Sequence, residues 1–151
     1  MGSMYEYFAT DEESEKNGVV IDYGNFRVTL ARAGGANKKF QRVLELKSRP
    51  YRRAIQTEML DPDVATKILL EAYAEAVVRN WEVKVQGEWR SGIEGPEGEL
   101  LPFNEGNVLS TYERLPDLFD EHREQASKAA LYRASLREAA AGNSPGASSI
   151  P

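Results

Sequence analysis

Apolar residues recur at every second position on both sides of the pair Gly24-Asn25. They form two short runs: Val19, Ile21 and Tyr23 before the pair, and Phe26, Val28 and Leu30 after it. A period of two is typical of β-strands, and a glycine–asparagine pair between two such runs is typical of a tight turn. The pattern therefore predicts a β-hairpin near the N-terminus.

Helical periodicity follows the hairpin. Asn37 is a candidate N-cap for a short helix, which Pro50 ends or kinks because its ring removes a backbone donor. The clearest helix begins at Asp61, has Pro62 in its first turn, and keeps apolar residues at helical spacing to about Asn80. Its alanines allow another helix to approach closely.

Two weaker patterns come after this helix. From Trp81 to Val85, apolar residues alternate with charged ones, which predicts a short strand or an extended segment after the helix. The four glycines of residues 86–101 predict a loop or a loose hairpin. Two more helices are expected beyond them, one capped by Asn104 and one that restarts at Leu115-Pro116.

Together these patterns predict a predominantly α fold, in which an N-terminal β-hairpin is followed by a small helical bundle. The length of 151 residues suits one domain that can bury a core without help from disulfides or a bound metal. We expect a flexible acidic N-terminus over residues 1–17 and a single helical domain with its hairpin over residues 18–141. Residues 142–151 are small and polar, which predicts a disordered tail.

The composition excludes several classes of protein. Cysteine is absent, so neither a disulfide framework nor a thiolate metal site can form. No apolar run reaches the roughly 18–20 residues that a membrane-spanning helix needs. The first residues lack the basic and apolar regions of a secretory signal. We therefore expect a protein that acts inside the cell and has no membrane partner.

The formal net charge of −5 hides three regions of opposite sign. Residues 1–22 hold six acids and one lysine, residues 27–53 hold nine Lys and Arg against one glutamate, and residues 94–124 hold nine acids against two arginines. Such a chain can pair its basic middle with its acidic ends, or present both signs to neighbours, including copies of itself. Solvated helix faces with modest salt bridges are the simpler alternative.

Side chains suited to catalysis are sparse. His122 is the only histidine, and it lies on the apolar side of an acidic helix, so packing is a simpler role for it than metal binding. The serines lack the motifs and the neighbouring bases that activate a nucleophile. We predict that the protein is not an enzyme and has no catalytic residues, no cofactor and no metal.

Nucleic-acid binding is the main rival function that the residues themselves suggest. Arg49, Arg52 and Arg53 lie within about one helical turn, and such a cluster can bind phosphates. The acidic net charge and the lack of a helix-turn-helix, zinc-finger or RNP pattern argue against this role. We favour the interpretation that these arginines face the acidic residues 94–124, within the fold or across subunits.

Several short pieces of the sequence resemble one known family and occur in its order. They are residues 18–44 with the motif Thr-Leu-Ala-Arg-Ala at 29–33, Pro50 to Ile55, the helix Val64 to Trp81 with Glu71 to Ala74 at its centre, and Leu115 to Phe119 leading to Glu124 to Arg133. Over residues 17–134 the chain resembles the tail assembly chaperones of long-tailed (siphovirus-type) bacteriophages and prophages. The glycine-rich residues 86–101 are longer and looser than the family pattern.

The resemblance implies a role in virion assembly. A protein of this family binds the tape measure protein, keeps it soluble and promotes assembly of the tail tube around it. A longer form, made by ribosomal frameshifting, recruits the tail tube protein. Members act in the host bacterial cytoplasm and are absent from the mature virion. Two alternatives stay open: a small nucleic-acid-binding phage protein that uses residues 27–53, and a structural tail or head–tail completion protein.

The residues predicted to contact a partner or another copy of the chain are three arginines and five aromatics. They are Arg49, Arg52, Arg53, Tyr73, Trp81, Phe103, Phe119 and Tyr132. The aromatics could line an apolar groove for a helical client, although a place in the core is the simpler role for each of them.

Overall fold

The structure is a computed structural model that describes residues 2–142. The disordered tail predicted for residues 142–151 lies outside the described residues, apart from Gly142. The structure begins with two short helices and a hairpin, continues through helices into further strands, and ends in helices.

Four antiparallel strands form the central sheet, in the order β1-β2-β3-β4. The strands are β1 (Val19–Asp22), β2 (Phe26–Leu30), β3 (Val78–Val85) and β4 (Glu88–Ser91). The predicted hairpin is confirmed: Val19 pairs with Leu30 and Ile21 with Val28 around the turn at Gly24. That glycine has a φ of +97°, a conformation that side chains with a Cβ adopt only rarely.

A second, two-stranded sheet pairs β5 (Ile93–Glu94) with β6 (Leu100–Leu101). The stretch 86–101, predicted as a loop or a loose hairpin, therefore contributes three short strands. Gly92 precedes β5 with a φ of +110°, and a Cβ there would lie 2.7 Å from the carbonyl oxygen of Leu101. Glycine is therefore needed where β5 meets β6.

Helices make up most of the rest of the described chain. They are α1 (Met4–Phe8), α2 (Glu12–Asn17), α3 (Lys38–Ser48), α4 (Arg52–Gln56), α5 (Pro62–Ala76), α6 (Glu105–Arg114), α7 (Pro116–Ala126) and α8 (Ala134–Gly142). Short 3₁₀ turns lie at Arg49–Tyr51 and Ala129–Tyr132. The predicted helix starts at Asp61, Asn104 and Pro116 are confirmed, because the first two residues cap α5 and α6 and the third begins α7.

The predicted fold class is wrong: the protein is a mixed α/β protein, not a predominantly α hairpin-plus-bundle. The error arises where α5 was expected to continue to Asn80, whereas it ends at Ala76 and β3 begins at Val78. Valines and a tryptophan recur at 77, 78, 81, 83 and 85. Such residues favour a strand when a partner edge is available, and β2 supplies that edge.

The core lies between the central strands and helices α3, α5, α6 and α7. Its buried side chains include Leu30 from β2, Phe40 from α3, Tyr73 from α5, Tyr112 from α6 and Phe119 from α7. Tyr73 contacts both phenylalanine rings edge-on, with ring centroids 5.4 Å from Phe40 and 5.2 Å from Phe119. These contacts hold the helices against the sheet.

The N-terminal segment that was predicted to be flexible carries the short helices α1 and α2. Asp11 caps α2, and Glu15 of that helix is buried, with 2% of its surface exposed. The Glu15 carboxylate accepts a hydrogen bond from Arg32 Nη1 at 2.5 Å and from the Thr10 hydroxyl at 3.2 Å. This ion pair ties the N-terminal segment to the chain that leaves β2.

Asn37 occupies the N-cap position of α3, as predicted, but its side chain does not cap the helix. The amide is buried, and its Nδ2 donates to the carbonyl oxygens of Arg32 at 2.8 Å and Ala76 at 2.9 Å. Asn37 therefore joins the end of β2 to the end of α5.

Candidate protein-interaction site

An apolar groove of about 390 Å³ opens where the central sheet, the β5–β6 pair and the α6–α7 junction meet. We call it the apolar groove. Most of its lining side chains are apolar: Phe26, Val83, Ile93, Pro96, Leu101, Leu115 and Leu118. Its volume lies within the range of about 300–1,000 Å³ that is typical of ligand sites. The groove is therefore large enough to receive side chains from a partner.

Local sequence signals position the wall of the groove that α6 and α7 form. Asn104 caps α6 by accepting a hydrogen bond from the backbone nitrogen of Asn107 at 2.8 Å. Pro116 begins α7. Proline lacks a backbone N–H, and the first position of a helix does not need one for an intrahelical hydrogen bond. Leu115 lies between these two helices and remains 53% exposed. The junction therefore presents a large aliphatic side chain to solvent beside the groove.

A buried polar and aromatic cluster fixes the position of α7. The Tyr112 hydroxyl and His122 Nδ1 are hydrogen-bonded at 2.7 Å, and both side chains are about 2% exposed. The Tyr23 hydroxyl donates to Glu121 Oε2 at 2.6 Å, while its ring stacks on Phe26 with centroids 4.9 Å apart. These contacts join α7 to α6 and to the hairpin.

Burial governs the protonation of this cluster. It lowers the pKa of His122 to about 4 from an ordinary value of 6.5, because the surrounding core does not solvate an imidazolium. Burial, together with the Glu121 carboxylate, raises the pKa of the Tyr23 hydroxyl. His122 is thus neutral near pH 7 and serves as a hydrogen-bonded core residue.

We predict that stability falls by about 2 kcal/mol between pH 7 and pH 5 because of His122. The unfolded chain takes up a proton near pH 6.5, whereas the folded chain does so only near pH 4. In this window the unfolded state binds more protons, so lower pH favours unfolding. Chemical denaturation at both pH values measures the change. The variant His122→Gln should lose most of this pH dependence, and an unchanged slope in that variant would contradict the assignment.

The predicted aromatic site residues are mostly core residues in the structure. Tyr73, Trp81, Phe119 and Tyr132 are at most 5% exposed, and the Tyr132 hydroxyl donates to the carbonyl oxygen of Leu30 at 3.0 Å. Phe103 is partly buried and packs edge-on against Trp81 with ring centroids 5.9 Å apart. Their role in association stays a prediction.

The predicted arginines lie together on the surface, in the turn after α3 and in α4. Arg49, Arg52 and Arg53 are all exposed. Arg49 forms a weak pair with Glu45 at 3.4 Å, and no ion pair to Arg52 or Arg53 is found among the described residues. The structure thus brings the three arginines together, and only Arg49 has an acidic partner among the described residues.

The interpretation that these arginines face residues 94–124 within one chain is wrong. Across residues 2–142, the ion pairs of the basic segment 27–53 reach Glu15, Glu45, Glu71, Glu75 and Glu82, and none reaches 94–124. The opposite charges of these two segments therefore do not pair within the described chain. The form of the interpretation that places the contact across subunits stays a prediction.

Sequence reasoning missed the groove residues Ile93, Leu101, Leu115 and Leu118 as a site. The available signal was the occurrence of apolar residues within a glycine-rich, acidic stretch, where a solvated loop has little use for them.

In the part of the chain that the structure describes, no group of His, Asp and Glu is arranged to hold a metal ion. None of the described helices is long and apolar enough to cross a membrane.

The fold and the groove define a small mixed α/β protein with an apolar groove on its surface. The chain belongs to the YdaY prophage protein family, which matches residues 35–143. No curated protein and no solved structure matches the chain. The family confirms that this is a phage or prophage protein. The matched region begins after β2, so the hairpin lies outside it.

Proposed function

We propose that the protein is a phage tail assembly chaperone that holds apolar helical segments of the tape measure protein in the apolar groove. The proposal joins the prophage family to the sequence resemblance described above. The observation that carries it is the groove itself, which exposes Leu115 and is lined by aliphatic and aromatic side chains. A long helical client offers apolar side chains at i, i+3 and i+4, which fit such a groove.

The chemistry of the groove supports a binding role rather than a reaction. Glu94 and Arg114 are the charged residues in its described lining, on β5 and at the end of α6. The one histidine, His122, is buried in the core, and its lowered pKa keeps it neutral at physiological pH. We therefore propose that the protein acts by contact alone.

The test is co-expression with the tape measure protein encoded by the same phage genome. We expect the wild-type protein to raise the soluble yield of the tape measure protein several-fold and to co-purify with it. The variant Leu115→Glu should lose this effect, because it places a charge at the apolar groove. Leu136→Glu is the matched control, since Leu136 on α8 is 51% exposed, close to the 53% of Leu115.

Two outcomes would contradict the proposal. One is that the wild-type protein neither raises the soluble yield nor forms a complex. The other is that Leu115→Glu and Leu136→Glu behave alike while both remain folded by circular dichroism.

The proposal also includes a longer frameshifted form that recruits the tail tube protein, a place in the host cytoplasm, and absence from the finished virion. Mass spectrometry of purified virions checks the last point.

A nucleic-acid-binding role is the second candidate, favoured by one observation. Lys38, Lys39, Arg42, Arg52 and Arg53 lie on consecutive helices, and none has an ion pair within residues 2–142. Cations in this state are free to contact phosphates. Salt-sensitive retention on DNA at near-physiological ionic strength would favour this candidate, and passage without retention would remove it.

A further inference from the structure

Residues 38–59 form a surface segment that joins positive charge to exposed apolar side chains. We call this segment the basic arm; it contains α3, the 3₁₀ turn at Arg49–Tyr51, and α4. Four large apolar side chains on it are exposed: Leu46 at 56%, Tyr51 at 40%, Ile55 at 43% and Met59 at 78%. Exposed apolar side chains grouped on one segment mark an interaction surface.

The apolar groove has the opposite charge around it. Three acidic residues lie in its lining or in the adjoining cleft: Glu94, Glu97 and Glu99. None of them has an ion pair among the described residues. We call these three residues the acidic rim. Arg114 is the cation that lines the groove beside them.

The two surfaces match each other in two independent respects. The basic arm carries aliphatic side chains between cations, and the apolar groove carries aliphatic walls inside the acidic rim. Among the described residues no ion pair joins the arm to the rim, so Arg52, Arg53 and the acidic rim can pair with a neighbour. We propose that the basic arm of one copy docks into the apolar groove of a second copy.

The apolar side chains of the arm favour a protein partner over a nucleic acid. Ile55 and Met59 gain nothing from contact with phosphates, whereas burial against Leu115 and Leu118 removes apolar surface from water. A single exposed ion pair is weak, so the complex is held by the apolar contacts together with the summed attraction between the cations and the acidic rim. The cations and the apolar side chains of the arm both find partners only on a surface that joins acidic residues to an apolar groove.

The contact limits which assemblies can form. The arm and the groove are different surfaces, so a copy that donates its arm can still accept the arm of another copy. Repeated in one direction, the contact builds rings or open chains, and two copies that exchange arms form a closed dimer. The inference stands without the tape measure protein, because only copies of this chain take part. When a client is present, client and arm compete for the same groove.

The experiment is sedimentation velocity of the purified protein over a range of concentrations. We expect the average mass to rise with concentration at about 0.1 M salt and to fall at about 1 M salt, where the screening length is only about 3 Å. The double variant Arg52→Glu/Arg53→Glu should raise the dissociation constant at least tenfold. Lys16→Glu/Lys67→Glu is the matched control, since it makes the same charge change on exposed residues outside both surfaces.

A charge swap tests the pairing directly. The rim variant Glu94→Lys/Glu97→Lys should also associate poorly alone, while a mixture with the arm variant should associate, because opposite charges then meet at every contact. Restored association shows that both variants are folded. Wild-type protein that stays monomeric, variants that associate like wild type, or a mixture that fails to associate would overturn the proposal. DNA binding by the arm without self-association would overturn it as well.

Discussion

Replacing Arg32 with alanine is expected to lower the free energy of unfolding by about 3–5 kcal/mol. The change leaves the Glu15 carboxylate, which is 2% exposed, without the guanidinium that contacts it at 2.5 Å. The carboxylate keeps the Thr10 hydroxyl as a partner but loses its counterion, so the folded state bears the cost of a buried uncompensated charge. Urea denaturation followed by circular dichroism measures the loss.

Two further variants separate this effect from general damage. Arg32→Ala/Glu15→Gln should recover part of the stability, because the buried charge is removed together with its partner. Arg137→Ala should cost much less stability than Arg32→Ala, since Arg137 pairs with Asp11 and Glu13 on the surface with 47% of its side chain exposed. Equal losses for Arg32→Ala and Arg137→Ala would refute the assigned role of the buried pair.

Phe119→Ala is expected to lower the free energy of unfolding by about 3–5 kcal/mol. The ring is 5% exposed and lies edge-on to Tyr73 and Tyr112, with centroids 5.2 Å and 5.1 Å away. Removing it leaves a cavity between α5, α6 and α7 that these helices can close only in part. Thermal or urea denaturation measures the effect.

This variant also separates a core role from a partner role. Leu115→Ala removes an apolar side chain that is 53% exposed, so it should cost less than about 1 kcal/mol of stability. If Phe119 contacts a partner rather than the core, its truncation would change stability little and reduce complex formation. That result would reverse the two roles that the structure assigns to Phe119 and Leu115.

The hairpin, the caps of α5 and α6, and the start of α7 could be predicted because local chemistry determines them. Gly24, Asp61, Asn104 and Pro116 each act within a few residues of their own position. Strand β3 could not be predicted with its full length, because Val78 and Asn80 are strand residues only when β2 lies beside them. That pairing spans about fifty residues of sequence and leaves no local signal.

The same distinction explains what was found of the candidate site. Exposure of the arginines at 49, 52 and 53 agrees with their charge, which sequence shows directly. The groove depends on where β5, β6 and the α6–α7 junction meet, and only the tertiary structure supplies that meeting. The sequence prediction chose aromatic residues instead, among them Tyr73, Trp81 and Phe119. The structure buries these three side chains in the core.

The central claim is that the apolar groove holds the tape measure protein. Site-specific photo-crosslinking tests it most directly, with a benzophenone side chain at Leu115 and, in a second protein, at Leu136. These positions are exposed to a similar degree, at 53% and 51%, but only the first lines the groove. After co-expression and irradiation, we predict a crosslink to the tape measure protein from position 115 and none from position 136. No crosslink from position 115, or equal crosslinking from both, would contradict the claim.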